Sequence, residues 1–175
     1  MRHHVRHGKN LSFLINILML FFFLITHVSC VSVKLGNEDV TKSGSVHYNK
    51  PAAPFENITL KNADHAWQNK QTGSTLSYLS ICNDTSDPTL ESLRNSTLRG
   101  IEVTKIDKED TIPFNSREAL KSDVLGQLDG VKVIVKLLIF KKNFCSYTIS
   151  MVSIQGKSLT DSQEFERFIQ GFTAP

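Results

Sequence analysis

Between Leu11 and Ile25 the chain is apolar at almost every position, interrupted only by Ser12 and Asn16. Beyond residue 62 the apolar positions are spaced instead, by two in some stretches and by three and four in others. These two periods predict strands and helices respectively.

The best-marked stretch is SREALKSDVLGQLDGVKVIVKLLIFKKNFCSYTISMVS, which predicts two hairpins in succession. Asp129-Gly130 is a two-residue turn signal, because both residues tolerate the positive φ that a tight hairpin needs. Val131, Val133, Val135, Leu137 and Ile139 then share one face of a strand. A turn at Lys141-Lys142-Asn143 leads into a third strand carrying Cys145, Tyr147, Ile149 and Met151 on one side. Upstream, HAWQNKQTGSTLSYLSIC reads as another hairpin turning near Gly73. TSDPTLESLRNSTLRG predicts a helix, with Asp87 as N-cap, Pro88 at the first helical position and Gly100 at the end. Its stripe is Leu90, Leu93, Thr97 and Leu98. Lys105 to Asn115 reads as a loop. The last element, SLTDSQEFERFIQGF, is a second amphipathic helix: Phe165, Phe168, Ile169 and Phe172 follow helical spacing, and Asp161 with Glu164, or Thr160 with Gln163, forms a capping box. The fold class expected is α+β: an antiparallel sheet, built from a hairpin plus a three-stranded meander and flanked by two amphipathic helices.

The apolar run from Leu11 follows Arg2, Arg6 and Lys9 and precedes small Ser29 and Cys30, the order of an export signal. It is shorter than the ~20 residues a spanning helix needs, so residues 1–29 are read as a cleaved leader, with a single N-terminal transmembrane anchor as the alternative. Residues 30–62, rich in Gly, Pro, Ser and Asn, read as a tether with one short strand at ENITL, and residues 63–175 as the globular domain. Without the leader the basic excess disappears: three of the 20 Lys and Arg precede Cys30, leaving 17 against 17 acids. Nucleic-acid binding, which needs a clustered basic excess, is set aside.

Three cysteines, Cys30, Cys82 and Cys145, are an odd number for an exported chain. Cys82 and Cys145 both lie on predicted strands, and a disulfide between them would stabilise by about 3–4 kcal/mol; the alternative is two separate buried thiols. If they pair, Cys30 remains at the leader boundary, where bacterial lipoproteins carry an acylated cysteine. His27 stands where a lipobox has an aliphatic residue.

Chemistry-bearing patterns are sparse. His47 lies in the tether and His65 beside Asp64, and no nucleophile-elbow motif accompanies them. Two histidines and no paired CxxC give no metal spacing, and no glycine-rich phosphate loop is present; no catalytic residue, metal or cofactor is expected. Trp67, Tyr78, Phe140, Phe144 and Tyr147 are read as core, with a ligand cleft as the alternative. Lys132, Lys136, Lys141 and Lys142 are read as a solvated strand face rather than a basic patch. The sequons at Asn57, Asn83 and Asn95 define a glycosylated, eukaryotic alternative.

ADHAW, GSTLSYLSIC, TLESLRNSTLRGI, REALKSDVLGQLDGV, KKNFCSYTI and FERFIQGF, in that order, resemble a group of uncharacterised bacterial lipoproteins with the PsbP-like α/β fold. The resemblance spans roughly Ala63 to Phe172. It implies paired cysteines at Cys82 and Cys145 and carries over no catalytic residue. The expectation is a non-enzymatic envelope lipoprotein, acylated at Cys30 and attached to the membrane through that lipid. Val31 after the cysteine points to the outer membrane, facing the periplasm. The expected role is binding or assembly with another envelope protein; a freely secreted domain binding a small apolar ligand between sheet and helix is the alternative.

Overall fold

A computed structural model describes residues 41–157 and 159–175. The leader over 1–29, Cys30 and the chain up to residue 40 lie outside the described residues. Seven antiparallel strands form one sheet in the order β1-β2-β3-β7-β6-β5-β4. In chain order these are β1 (Phe55–Ile58), β2 (His65–Asn69), β3 (Thr75–Cys82), β4 (Glu102–Phe114), β5 (Arg117–Leu128), β6 (Val131–Lys142) and β7 (Cys145–Ile154). Helix α1 (Leu90–Thr97) joins β3 to β4, and α2 (Leu159–Gln170) follows β7. The α+β architecture with two helices is the one expected.

The strand period sorts the core into two layers. Leu76, Tyr78, Leu138, Phe140, Tyr147, Ile149 and Met151 face α2, where Phe165, Phe168 and Ile169 of the helix, with Phe172 just beyond its end, close over them. Val133, Val135, Leu137 and Ile139 face the other way, with Val124 and Leu98, beneath the shorter α1. The α2 stripe is buried as its spacing requires, whereas in the α1 region Leu98 is buried, Leu90 and Leu93 are half-buried, and Thr97 is exposed with its hydroxyl donated to Leu93 O.

Residues 41–62, read as part of a tether, belong instead to the folded domain. Thr41 bridges to Cys82 and His47 to Thr173. Tyr48 packs among His65, Trp67, Tyr78 and Phe168, with ring centroids 5.2–5.7 Å apart. Buried Phe55 begins β1. An aromatic side chain inserted into a buried cluster holds this strap on the sheet.

The loop expected over Lys105–Asn115 is the edge strand β4. It is exposed on both sides, and its register against β5 slips twice, between Val103 and Lys105 and between Ile106 and Lys108. Bulges of this kind erase a period of two. At α1 the N-cap is Thr89, whose Oγ1 accepts from Ser92 N at 3.1 Å. Asp87 sits at φ 40°, outside the helix, while Gly100 at φ 87° ends the helical region as expected. The α2 capping residues are used in tertiary contacts: buried Asp161 accepts from Asn69 Nδ2 (2.8 Å) and Thr72 Oγ1 (2.6 Å). Glu164 accepts from Ala52 N at 2.9 Å.

Candidate functional site

Cys82 and Cys145 stand directly opposite each other in the β3–β7 register and are joined by a disulfide with a Cα–Cα distance of 3.9 Å. Around this bond one end of the sheet gathers five features: the β4–β5 turn, the β6–β7 turn, the loop into α1, the C-terminal segment and the point where the chain enters at Thr41.

Both turns are two-residue hairpins with positive φ at each position: Asn115 (50°) and Ser116 (62°), then Asn143 (50°) and Phe144 (61°). β6 therefore runs through Lys142, and the turn falls at Asn143-Phe144, two residues later than the lysine-rich turn expected. Asn tolerates the left-handed conformation; phenylalanine there is uncommon and strained. The side-chain amides of both turns fasten the C-terminal segment. Asn115 donates to Phe172 O (3.0 Å) and accepts from Ala174 N (2.9 Å), and Asn143 donates to Pro175 O (2.9 Å). Lys142 Nζ donates to Ala174 O at 2.7 Å.

Two clefts open at this end. One, of about 830 Å³, lies between α1 and the β4–β5 turn, and the other, of about 640 Å³, between the α1 loop and the β6–β7 turn. Arg117 and Lys141 line both. Lys141 is held by Asp87 (2.5 Å) and Pro88 O (3.0 Å), whereas Arg117 is exposed and makes no ion pair among the described residues. Over the smaller cleft stands Phe144, 92% exposed.

The residues singled out from the sequence divide. Trp67, Tyr78, Phe140 and Tyr147 are core, at most 5% exposed, and fill the space between sheet and α2 that an apolar ligand would need. Phe144 alone of the five is at the surface. The four lysines do not form one patch. Lys132 begins β6 at the far end, Lys136 pairs with Asp123 in mid-strand (2.8 Å), and Lys141 and Lys142 belong to the disulfide end.

His65 is exposed and stacks on Trp67. Its neighbour Asp64 serves the strap. One Asp64 oxygen accepts from Ser80 N (2.9 Å) and Ser80 Oγ (2.5 Å), and Lys42 Nζ lies 2.9 Å from the other. Ser43 N in turn donates to Ser80 Oγ at 2.9 Å, and Tyr147 OH to Ser43 Oγ at 3.0 Å. Ser80 is fully buried with its proton donated to a carboxylate, an arrangement that fastens two segments and presents no nucleophile to solvent. Burial, with Tyr48 and Asp64 nearby, pushes the Tyr78 phenol well above the ordinary tyrosine range, as expected for a core hydroxyl. Among the described residues no group of three or more His, Cys, Asp and Glu side chains is placed to hold a metal ion.

No single pattern in the sequence announces the disulfide end as a site. The usable signals were Asn115-Ser116 and Asn143-Phe144, each a short polar break between β-rich runs, and the lone Phe in such a break.

No protein-family model matches the chain, and no curated protein matches it in sequence. Solved structures share its fold. A Bacteroides thetaiotaomicron protein superposes with a TM-score of 0.52 at 14% identity, over 78% of this chain and 47% of that one. This chain thus spans about half the length of the Bacteroides protein. LpqN, involved in cell envelope biogenesis of Mycobacterium tuberculosis, gives 0.51 at 9% identity, over 75% of this chain and 86% of that one. The cyanobacterial PsbP of Synechocystis gives 0.50 at 8% identity, over 80% and 96%. At such identities the likeness is one of fold, and the fold is PsbP-like.

Proposed function

We propose that this is a non-enzymatic domain of the bacterial cell envelope, anchored through a lipid on Cys30 and binding another envelope protein through its surface. The observation that carries the reading is the Cys82–Cys145 disulfide, since such bonds persist in oxidising, extracytoplasmic compartments. With that pair committed to each other, Cys30 is the one cysteine left over. The envelope role of LpqN, which shares the fold, supports the setting by analogy of fold. A surface rather than an interior site is favoured because the aromatic layer under α2 is closed.

Intact mass of the protein from its native host tests the anchor. The expected species starts at Cys30, carries diacylglycerol and acyl mass, and frees two thiols only on reduction. A chain cut near residue 30 without lipid, or one carrying hexose increments, overturns it. The second reading is a freely secreted small-ligand binder. The space between sheet and α2 is filled by rings, so the surface it would use is the pair of open clefts that Arg117 and Lys141 line. A small molecule co-purifying with the domain and displaced by Arg117→Ala would select this reading.

A further inference from the structure

The disulfide end of the sheet is marked by an apolar side chain that the fold exposes at a cost. Phe144 is 92% exposed, against 47% for Val131, the next most exposed large hydrophobic residue among those described. It is held at φ 61° in a turn where glycine would sit without strain. The turn is also rigidly mounted. Cys145 follows it and is bonded to Cys82, and Asn143 is fastened to the C-terminal Pro175 carbonyl. A rigidly mounted aromatic ring directed into water is a ready apolar contact point for a surface brought against this end.

The path of the chain indicates what covers it. Thr41 pairs with Cys82, so the polypeptide enters the domain at the end that carries Phe144. Eleven residue steps separate Thr41 from Cys30. That length spans at most ~40 Å. β6 alone, from Val131 to Lys142, is about 37 Å long. A lipid on Cys30 therefore tethers the domain from the end that carries Phe144, while the Val131 end lies a full strand further from the attachment point.

We infer that the disulfide end is a membrane-contact surface, with Phe144 entering the boundary between headgroups and acyl chains and Arg117 and Lys142 at headgroup level. The inference rests on the anchored reading above and adds the orientation of the domain. Asp84 and Glu118 share the rim with these cations, and Asp87 holds Lys141. Net charge at the patch is therefore small, and the apolar Phe144 ring, entering the boundary between headgroups and acyl chains as apolar side chains of interfacial segments do, makes the main contact.

Tryptophan scanning in brominated vesicles tests this. Full-length protein purified from membranes is reconstituted into phosphatidylethanolamine/phosphatidylglycerol vesicles containing lipid brominated along the acyl chain. Trp67, the single native tryptophan, is 4% exposed and supplies an unquenched background. The added emission of Phe144→Trp is expected to fall by about twofold or more, including at high salt, while Val131→Trp, at the other end of β6, is unchanged. If the protein floats with the vesicles but Phe144→Trp is unquenched, or Val131→Trp is quenched as strongly, the orientation is wrong and the anchor stands. If the protein does not float with the vesicles, the anchored reading fails and the orientation with it.

Discussion

Under α2 the sheet meets aromatic rings; under α1 it meets aliphatic side chains and one ion-pair network. The α2 layer contains Trp67, Tyr78, Phe140, Tyr147, Phe165, Phe168 and Phe172 in a single buried cluster. Phe140 stacks on Tyr147 with centroids 4.8 Å apart and meets Phe114 edge-on at 5.1 Å. The α1 layer has Leu98, Val124, Val133, Val135, Leu137 and Ile139. No residue of α1 itself is buried; Leu98, its C-cap, carries the contact. Arg94 makes up part of the difference by reaching Glu109 on the edge strand, and Glu109 also accepts from buried Ser122 at 2.8 Å. Helix α2 joins a buried stripe of its own to polar contacts at Asp161, Glu164 and Glu166, whereas α1, with no buried residue, rests on its C-cap and on the Arg94–Glu109 pair.

The largest test of this contrast is Phe140→Ala. Removing a fully buried ring from the aromatic layer should cost about 4–5 kcal/mol, read from denaturant unfolding. A loss nearer 1 kcal/mol would mean that the rings on this side can close up around the gap. Next comes the Cys82→Ala/Cys145→Ala pair. The bond closes a 63-residue separation, for which chain entropy gives about 4 kcal/mol as a ceiling. Thermal unfolding with and without reductant checks it, and a reduced protein as stable as the oxidised one would refute it.

Leu98→Ala sharpens the comparison from the thin side, with about 2–3 kcal/mol expected, the low part of the Leu→Ala range. The same loss as for Phe140→Ala would erase the asymmetry. The smallest effect is Glu109→Gln, at about 1 kcal/mol for a partly buried, networked pair. Arg94 beside it, then the Ser122 hydroxyl, hold the Glu109 carboxyl below its ordinary value of 4.5. A carboxylate whose folded value is depressed stabilises above its unfolded value, and that contribution is lost as pH falls through the folded one. The wild-type protein should therefore lose stability below pH 4.5 more steeply than Glu109→Gln. Parallel acid curves would show that the network does no such work.

Much of this could be read from single segments. The α2 stripe of Phe165, Phe168 and Ile169 is buried as its spacing required, and Phe172, expected to continue it, is buried two residues past the helix end. Asp129-Gly130 forms its hairpin with φ of 50° and 78°. The alternation along β6 separates the two cores residue by residue, and the two strand-borne cysteines face each other. In each case the pattern of one segment already states which side is apolar or which bond is available.

The tertiary structure decided the rest. β4 carries charged residues on both faces and two bulges, so it is a strand only because β5 offers a ladder to pair with. The strap from Thr41 looks like a linker until Tyr48 finds Trp67, Tyr78 and Phe168, which come from three distant elements. Asp161 and Glu164 fit a capping box but bind the β2–β3 hairpin and the strap, because the tertiary fold brings Asn69, Thr72 and Ala52 N within hydrogen-bond distance of them. Phe144, counted with the core aromatics by its company in sequence, is exposed because Asn143 and Phe144 must make the tight turn between two long paired strands. Hydrophobic period reports which side of a segment avoids water; which other segment covers it depends on contacts remote in sequence.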